Sequence, residues 1–407
     1  MACDIKRGFI SYDKSIQILN DIKLQNKKTK KLFLTDAIGF TLASHIIASS
    51  SSPEFPTSAM DGYAVRHEDL ALGKLNIIDY NPAGSEISTE VSKSNCIKTF
   101  TGSLMPKSSD TLIPIENVTV KDETIIINET VPFGFATRKI GENYTKDEVL
   151  IKAGTKISFS EIGVMASLNI VQVEVYVKAI VSIASTGSEI LDLGEEQTNN
   201  SQIRSSNHLT LESIAKQYGA EVHQKGVVKD DRTSILNLIK SSLENSDIVV
   251  TTGGVSVGDY DFVKDIIKDE IGAKVLYQGV NIKPGQHIII AQKDDKFIVG
   301  LPGFAYSSTV TFLLYVLPLI FKFNGADESL VFLDAILEEN FPKKTNKTVF
   351  TACNINLKDG KYYANFDGKK SGTSAILTNM IGNVALIMQD ENSSDVKSGE
   401  IVKVLMV

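Results

Sequence analysis

Three short loops rich in glycine and acidic residues are the part of the sequence best suited to chemistry. They are residues 185–189 (STGSE), residues 252–259 (TGGVSVGD) and residues 300–303 (GLPG). Each follows a short apolar run that is typical of a buried strand. Glycine lets the backbone approach a ligand closely, and free amides at a helix start bind phosphate or another oxyanion. The loops therefore predict a site for an anionic ligand.

Acidic residues gather at the same loops, and Mg²⁺ bound by few carboxylates plus phosphate oxygens would explain them. The acids are Glu189, Asp230 and Asp261, with Asp259 adjacent, whereas Asp61 lies in a separate segment. For each acid alone, a helix cap or a solvated charge is the competing interpretation, and capping is a strong competitor at Asp230 and Asp231. Lys283, in the turn Ile282-Lys283-Pro284-Gly285, is suited to hold an anion, or else is an exposed turn lysine.

The second loop also has to be compared with a nucleotide-binding P-loop. Gly253 and Gly258 have the required spacing, but Asp259 and Tyr260 stand where lysine and serine or threonine are needed. A carboxylate at that position repels a triphosphate, so ordinary kinase or ATPase chemistry is disfavoured. A plain strand-to-helix turn accounts for one glycine pair but not for the whole run.

The elements around these loops alternate between strands and helices, which predicts a doubly wound α/β domain. Predicted strands cover residues 179–184, 221–228, 247–252, 275–280, 287–291 and 297–300. Predicted helices cover residues 205–218, 233–243, 262–271 and 305–322. In such sheets ligands bind outside the carboxyl ends of the strands, where all three loops fall.

The flanking segments read differently. An amphipathic helix is predicted over residues 11–25, and an all-β module over residues 53–140, with strands at 75–80, 95–101, 111–116 and 123–127. Residues 56–65 (PTSAMDGYAV) are predicted to form a loop. After Asp327 the strand pattern and the turn signals at residues 358–360 and 366–368 predict a small β-barrel.

Composition excludes several function classes. The 407 residues carry a net charge of −7 without a long basic run, which argues against nucleic-acid binding. The three cysteines and five histidines show no metal-ligand spacing, and the cysteines fit a reducing compartment. No signal peptide is apparent, and the longest apolar run, residues 310–321, is too short to span a membrane. A cytoplasmic protein is expected.

Taken together, the motifs resemble those of the MoeA/gephyrin family, the molybdopterin molybdenumtransferases. The matching strings, in family order, are SAMDGYAV (58–65), TG (101–102), TGSE (186–189), TTGGVSVGDYD (251–261), IKPG (282–285) and GLPG (300–303). SAMDGYAV and GGVSVG with its following aspartate are highly specific in combination. The resemblance covers nearly the whole chain.

The resemblance implies a multidomain α/β plus β fold in four parts. They are an elongated linker domain (1–52 and 141–177), an inserted β module (53–140), a central doubly wound molybdopterin-binding domain (178–327) and a C-terminal β-barrel domain (328–407). It also implies a homodimer whose cleft joins the α/β domain of one subunit to the Asp61 segment of the other. A molybdopterin adenylyltransferase is a possible further partner.

The implied reaction inserts molybdate, or tungstate, into adenylylated molybdopterin with release of AMP, assisted by Mg²⁺. Catalytic roles fall to Asp61, Glu189, Asp230, Asp261 and Lys283, of which Asp61, Glu189 and Asp261 are the implied metal ligands. Substrate binding falls to Thr101, Gly102, Arg138, Ser185, Thr186, Gly187, Thr252, Gly253, Gly254, Ser256, Gly258 and Pro302. The metal-binding sulfurs belong to the pterin, which is consistent with the absence of a cysteine cluster.

The sequence departs from the family pattern at five positions: Asn143, Gln286, Phe304, Ala305 and Ala352. Each change removes charge or shape from the implied cleft, and Lys347, Lys369 or Lys370 are available to restore the positive charge. A non-catalytic molybdopterin-binding or scaffold paralogue therefore stays open as an alternative. The adenylyltransferase of the same pathway is a second alternative, which SAMDGYAV and the flanking β segments disfavour.

Overall fold

The computed structural model describes residues 8–86, 88–254, 262–371 and 374–407. The chain forms two compact units. The first unit is Met1–Ser44, Gly154–Phe159 and Val171–Val407, and the second unit is His45–Ala153 and Ser160–Ile170. The predicted division into four domains stays a prediction.

The centre of the first unit is a six-stranded mixed sheet. In spatial order its strands are Glu221–Val228, Ile180–Thr186, Ile248–Thr252, Lys296–Leu301, Ile289–Lys293 and Lys274–Gln278. The first four strands are parallel to one another. Ile289–Lys293 is antiparallel to Lys296–Leu301, and Lys274–Gln278 is antiparallel to Ile289–Lys293. Ile248–Thr252 is buried along its whole length, as expected of a central strand with both faces covered. The predicted α/β fold class is confirmed.

Helices connect these strands. They are Asn207–Gln217, Arg232–Asn245, Phe262–Asp265 with the π-helical continuation Ile266–Glu270, and Ala305–Thr311, Phe312–Val316 and Leu317–Phe323, which form one continuous helix. The N-cap of Arg232–Asn245 is Asp231, whose carboxylate accepts the Ser234 N–H at 2.9 Å. Of the two aspartates that competed for this role, Asp231 is therefore the cap and Asp230 is not.

The last helix forms the core of the first unit. Within the part of the chain that the structure describes, Ala305–Phe323 is the one helix long and apolar enough to cross a membrane, and its most apolar window is 83% buried inside the protein. Its middle turn, Phe312–Val316, is π-helical. Pro318, two residues after this turn, has no N–H to donate to the Leu314 carbonyl, so the regular hydrogen-bond ladder is interrupted there.

The N-terminal helix is Tyr12–Asp21, shorter than the predicted 11–25 because Ile22 adopts an extended backbone. It packs on the core helix, where the hydroxyls of Ser15 and Tyr315 are 3.1 Å apart. The remaining strands of this part form two pairs, Thr29–Phe33 with Gln172–Tyr176 and Ile190–Leu191 with Ile203–Arg204.

The C-terminal part of the first unit is a closed five-stranded barrel, as predicted. Its strands are Phe332–Leu337, Thr348–Lys358, Lys361–Asn365, Val384–Gln389 and Ile401–Met406. Thr348–Lys358 closes the barrel by pairing with strands on both sides. The short strand Ile282–Lys283 pairs with its first residues, which fixes the Lys283 turn against the barrel.

The second unit contains a curled six-stranded sheet. In spatial order the strands are Thr111–Pro114, Gly62–Val65, Asn95–Thr99, Lys74–Asn81, Thr124–Ile127 and Val118–Lys121. Two short pairs, Thr57–Ser58 with Thr137–Arg138 and Ile46–Ile47 with Val149–Ile151, and most of the helix Phe159–Ser167 complete the unit. The prediction of a loop over residues 56–65 was wrong, because Gly62–Val65 is a fully buried strand.

Two of the three cysteines lie in described segments, and both are buried free thiols. Burial raises the pKa of the Cys96 thiol to about 12 and that of Cys353 to about 11. Thiols with such pKa values hold almost no thiolate at neutral pH, so they are poor nucleophiles and metal ligands.

Candidate functional site

The first predicted loop begins later than expected, because the strand Ile180–Thr186 includes Ser185 and Thr186, and both side chains are buried. Gly187 makes the turn. A Cβ atom on Gly187 would lie 2.9 Å from Oε2 of Glu189. The Glu189 carboxylate therefore folds back over the loop, close to the end of the strand.

The second loop lies against the first. Gly253 has φ +97° and donates its N–H to the Leu301 carbonyl at 3.0 Å. A Cβ atom at this position would lie 2.7 Å from the Thr186 carbonyl oxygen, closer than real Cβ atoms come. Glycine is therefore required where the two loops meet.

Gly254 brings one of the predicted acids to the same place. Its φ is +63°, and a Cβ atom there would lie 3.8 Å from Oδ1 of Asp230, a buried oxygen. The structure thus places Asp230 beside the second loop. Residues 255–261, which include Ser256, Gly258 and Asp261, lie outside the described residues.

The third loop, residues 300–303, completes the group. A Cβ atom on Gly303 would lie 3.8 Å from the Gly253 Cα, and the Gly303 carbonyl accepts the Asn207 side-chain amide at 2.7 Å. Pro302 stands between the strand end and this glycine. The three predicted loops therefore converge in the described part of the chain, with Glu189 and Asp230 next to them.

A network of buried and partly buried polar side chains next to these loops was missed by the sequence analysis. Its members are Asp192, Ser205, His208, Ser185, Thr252 and Asn207. The hydroxyls of Ser185 and Thr252 are 3.0 Å apart, which links the ends of two neighbouring strands. Polar residues just before a helix usually indicate capping, so the run Ser205-Ser206-Asn207-His208 gave no separate signal.

In the second unit, the structure brings Asp61 to Thr101. Oδ1 of Asp61 accepts the Thr101 N–H at 2.8 Å and the Thr101 hydroxyl at 2.7 Å. These two hydrogen bonds, and to a smaller extent the nearby Lys98, lower the pKa of the exposed Asp61 carboxyl. The predicted residue Gly102 follows, with its N–H on the Ser58 carbonyl at 2.9 Å.

Arg138, also predicted for substrate binding, lies in the strand pair next to this segment. Its partner in the pair is Thr57, one residue before Ser58. The Arg138 Nε is 2.9 Å from Oε1 of Glu142, and both side chains are substantially exposed. Asp61, Thr101, Gly102 and Arg138 therefore belong to one region of the second unit.

Lys283 lines a cavity of about 200 Å³ between its own turn and the barrel. Two further lysines, Lys344 and Lys370, line the same cavity, together with the hydroxyl side chains of Thr345, Thr351, Ser371 and Ser374. Ala352, one of the departures from the family pattern, also lines it. Lysines and hydroxyls around one hollow favour binding of a small anion.

The three lysines proposed as replacements for the missing charge have different surroundings. Lys370 lines the cavity, whereas the Lys369 ammonium donates to the carbonyls of Asn379 and Ile381 at 2.8 and 3.1 Å. Lys347 donates to the side-chain oxygen of Gln286, another of the departures.

Comparison with known proteins agrees with this arrangement. Residues 10–169 match the MoeA N-terminal region (domain I and II), and residues 182–322 match a probable molybdopterin binding domain. A molybdopterin molybdenumtransferase of Nostoc sp. is 31% identical over 390 residues, which cover 93% of this chain and 89% of the relative. One from Bacillus subtilis is 28% identical and covers 99% and 95%.

The solved structure of the molybdopterin biosynthesis moeA protein from Pyrococcus horikoshii OT3 matches with a TM-score of 0.83 and 27% identity, over 98% of this chain and 100% of that one. Fold and loops thus define a multidomain protein with a molybdopterin-binding α/β domain. The chain belongs to the MoeA family of molybdopterin molybdenumtransferases.

Proposed function

We propose that this chain is a molybdopterin molybdenumtransferase, which inserts molybdate into adenylylated molybdopterin and releases AMP. The observation that carries the proposal is the convergence of Thr186, Gly253 and Gly303 beside the carboxylates of Glu189 and Asp230. Exposed backbone at glycine-lined strand ends is suited to a phosphorylated ligand. The curated relatives that carry this name support the reaction.

In this proposal the residues divide the work between substrates. The strand ends Ser185–Gly187 and Thr252–Gly254, together with Pro302 of the third loop, hold the pterin phosphate group. Asp61, Thr101, Gly102 and Arg138 contribute from the second unit, and the predicted dimer would bring them to the cleft of the partner chain. Ser256, Gly258 and Asp261 stay predictions.

Mg²⁺ is part of the proposal, and the described residues fit its chemistry. Groups of three or more possible ligands do not occur among the residues that the structure describes. Mg²⁺ does not need such a group, since it binds through one or two carboxylates plus substrate phosphates and water. Glu189 and Asp230 would supply those carboxylates at the loops, and the ion would neutralise phosphate charge there.

Release of AMP tests the proposal directly. We expect purified protein with adenylylated molybdopterin, molybdate and Mg²⁺ to release AMP, measured by chromatography, and we expect EDTA to stop it. AMP release is a hydrolysis of the phosphoanhydride that links AMP to the pterin phosphate. A water oxygen bonds to phosphorus as the anhydride P–O bond breaks, AMP and the pterin phosphate separate, and the water protons pass to the products and the solvent. Pterin that stays bound without AMP above the blank would instead support the scaffold alternative. Cytoplasmic location and a homodimer belong to the same proposal.

The lysine cavity is proposed as the entry site for the molybdate anion. Lys283→Gln and Lys370→Gln are each expected to raise the KM for molybdate about three- to tenfold. Each substitution removes from the cavity one partly screened positive charge that would attract the doubly charged anion. The measurement is the rate of AMP release against molybdate concentration at low salt.

Lys358→Gln is the matched control for the cavity lysines, since Lys358 pairs with Glu338 at 2.9 Å elsewhere on the barrel. Its KM for molybdate should stay at the wild-type value. Equal KM values for the wild type and for both cavity variants would show that the cavity is not the molybdate entry site. The proposal of AMP release would not be affected.

A further inference from the structure

A buried histidine is connected to the phosphate-site loops by a continuous line of hydrogen bonds. His208 is 1% exposed, and its Nε2 is 3.1 Å from Oδ1 of Asp192. Its Nδ1 is 2.7 Å from the Ser205 hydroxyl. The Ser205 hydroxyl is 3.2 Å from the Ser185 hydroxyl, which is 3.0 Å from the Thr252 hydroxyl. The line therefore ends one residue before Gly253.

The direction of these hydrogen bonds depends on the charge of His208, because each hydroxyl has one proton to donate. When the imidazole is neutral, its Nε2–H donates to the Asp192 carboxylate, so Nδ1 must accept the Ser205 proton. When the imidazole is charged, Nδ1 donates to Ser205, and the Ser205 proton turns towards Ser185. The Ser185 proton is then available to Thr252, whose own proton is released for another acceptor.

The charged and polar side chains that face His208 come from three elements. Asp192 follows the strand Ile190–Leu191, and Glu212 lies one turn further along the helix that holds His208 and is paired with Lys216 at 2.6 Å. The neighbouring strand contributes the neutral Gln224, which donates to the His208 carbonyl at 3.2 Å. The two carboxylates stabilise a positive charge on the imidazole, and burial opposes it.

We propose that His208 is a proton-linked positioning residue for the phosphorylated substrate: its charged form turns Ser205, Ser185 and Thr252 into donors that point towards the Gly253 loop. Ligand binding and protonation of His208 then favour each other, as two linked equilibria must. Loss of the proton at higher pH weakens binding without moving any contact residue. This inference rests on the proposed phosphate site in the α/β domain.

Histidine-ring NMR of the full chain, titrated with and without sulfate, tests the proposal without requiring turnover. Sulfate mimics a phosphate group and does not itself titrate near neutral pH. The ring signal that is lost in His208→Gln identifies the residue. We expect saturating sulfate to raise the titration midpoint of His208 by about one pH unit, which corresponds to about tenfold tighter binding to the charged form. His223, whose Nδ1 meets Ser246 at 3.5 Å, is the internal control and should not move.

Two serine variants separate the relay from a general charge effect. Ser205→Ala removes the 2.7 Å partner of Nδ1 and leaves only the 3.4 Å contact between Nδ1 and the Ser185 hydroxyl, so it should reduce the sulfate-dependent rise. Ser205→Thr keeps a hydroxyl and should retain the full rise. Lys283→Gln should also retain it, because sulfate in the lysine cavity is not its cause. An unmoved His208 midpoint in the wild type, or an undiminished rise in Ser205→Ala, overturns the proposal.

The same variants have a kinetic signature if AMP release is observed. His208→Gln should remove the decrease in kcat/KM that the proposal predicts with rising pH, and it should act mainly through the KM for the pterin. A folded wild type that shifts its His208 midpoint with sulfate but releases no AMP would contradict the proposed function and support the relay. AMP release together with an unchanged His208 midpoint would support the proposed function and contradict the relay.

Discussion

Asp61→Asn is expected to lower kcat/KM for AMP release by about 10²–10³-fold, because the neutral amide would bind the proposed Mg²⁺ more weakly and so reduce charge stabilisation in the transition state. The substitution keeps an oxygen that can accept the two Thr101 hydrogen bonds and removes only the negative charge. Because the Asp61 side chain is exposed, its loss should leave the melting temperature within about 2 °C of the wild type. AMP release and a thermal melt measure the two effects.

The pH dependence of this carboxylate has a definite sign. The Thr101 hydrogen bonds lower the pKa of Asp61 in the folded state, so their stabilising effect is present above the unfolded-state pKa. It is lost as the pH falls through the lowered folded-state pKa. Asp61 therefore stays ionised in mild acid, and any activity loss that begins near neutral pH has another origin.

Asp79→Asn is the matched control for Asp61. Asp79 lies in the same unit, is partly exposed, and has its pKa lowered in the same way by hydrogen bonds from the Thr89 hydroxyl and the Tyr80 N–H. It has no proposed role, so its variant should keep full activity. Equal activity in the two variants would show that Asp61 takes no part in the reaction, and a large melting loss in Asp61→Asn would mark a structural role.

The α/β domain was the part of the fold that the sequence predicted best. Glu221–Val228 was predicted residue for residue, and Ile248–Thr252 began one residue later than expected. A helix with a turn on each side separates these strands, so their ends are well marked in the sequence.

The second unit was harder to predict because its strands are short and interrupted. Gly62–Val65 begins with a glycine inside a run of small residues, a pattern that indicates a loop. A Cβ atom on Gly62 would lie 2.3 Å from the Ile113 carbonyl oxygen. The glycine is therefore needed for close pairing of the strand with its neighbour, a contact between residues far apart in sequence that local patterns do not reveal.

The candidate site shows the same division between local and distant information. The glycine loops were found because each has its own sequence signature. Lys370 was one of three equivalent lysines, and only the barrel closure placed it in the cavity with Lys283. His208 was read as a scattered histidine, since its partners Asp192 and Ser185 are 16 and 23 positions away in the sequence.

Two of the five departures from the family pattern, Gln286 and Ala352, lie in or beside the barrel. Ala352 lines the lysine cavity, and Gln286 accepts a hydrogen bond from Lys347 beside the Lys283 turn. Lys344 and Lys370 line the same cavity as Ala352, and Lys347 contacts Gln286. Positive charge therefore lies beside both departures in this chain.

Gly253→Ala is expected to lower both the stability of the α/β domain and the activity. A Cβ atom would lie 2.7 Å from the Thr186 carbonyl oxygen and 2.9 Å from the Thr186 hydroxyl, and both belong to a buried strand end that has little room to move. The φ of +97° adds backbone strain for any residue other than glycine. Together these effects should lower the free energy of unfolding by about 1–3 kcal/mol, measured by urea denaturation.

Activity should fall further than stability in this variant. Relief of the clash requires the second loop to move away from the first, and the phosphate group would then lose backbone contacts on both sides. We expect AMP release to drop at least about 10²-fold, since displacements near one ångström in a binding constellation have that effect. The measurement is AMP release at a temperature where the variant is fully folded.

Gly303→Ala is the control variant for Gly253→Ala. It tests whether any larger residue in these loops is destabilising, or only one at the contact between the first and second loops. Its added Cβ would lie 3.8 Å from the Gly253 Cα, an ordinary contact, and its φ is not positive. This variant should therefore keep the wild-type unfolding free energy within about 0.5 kcal/mol. If Gly253→Ala were as stable and active as the wild type, the first and second loops could not be in contact, and the phosphate site that depends on their convergence would have to be abandoned.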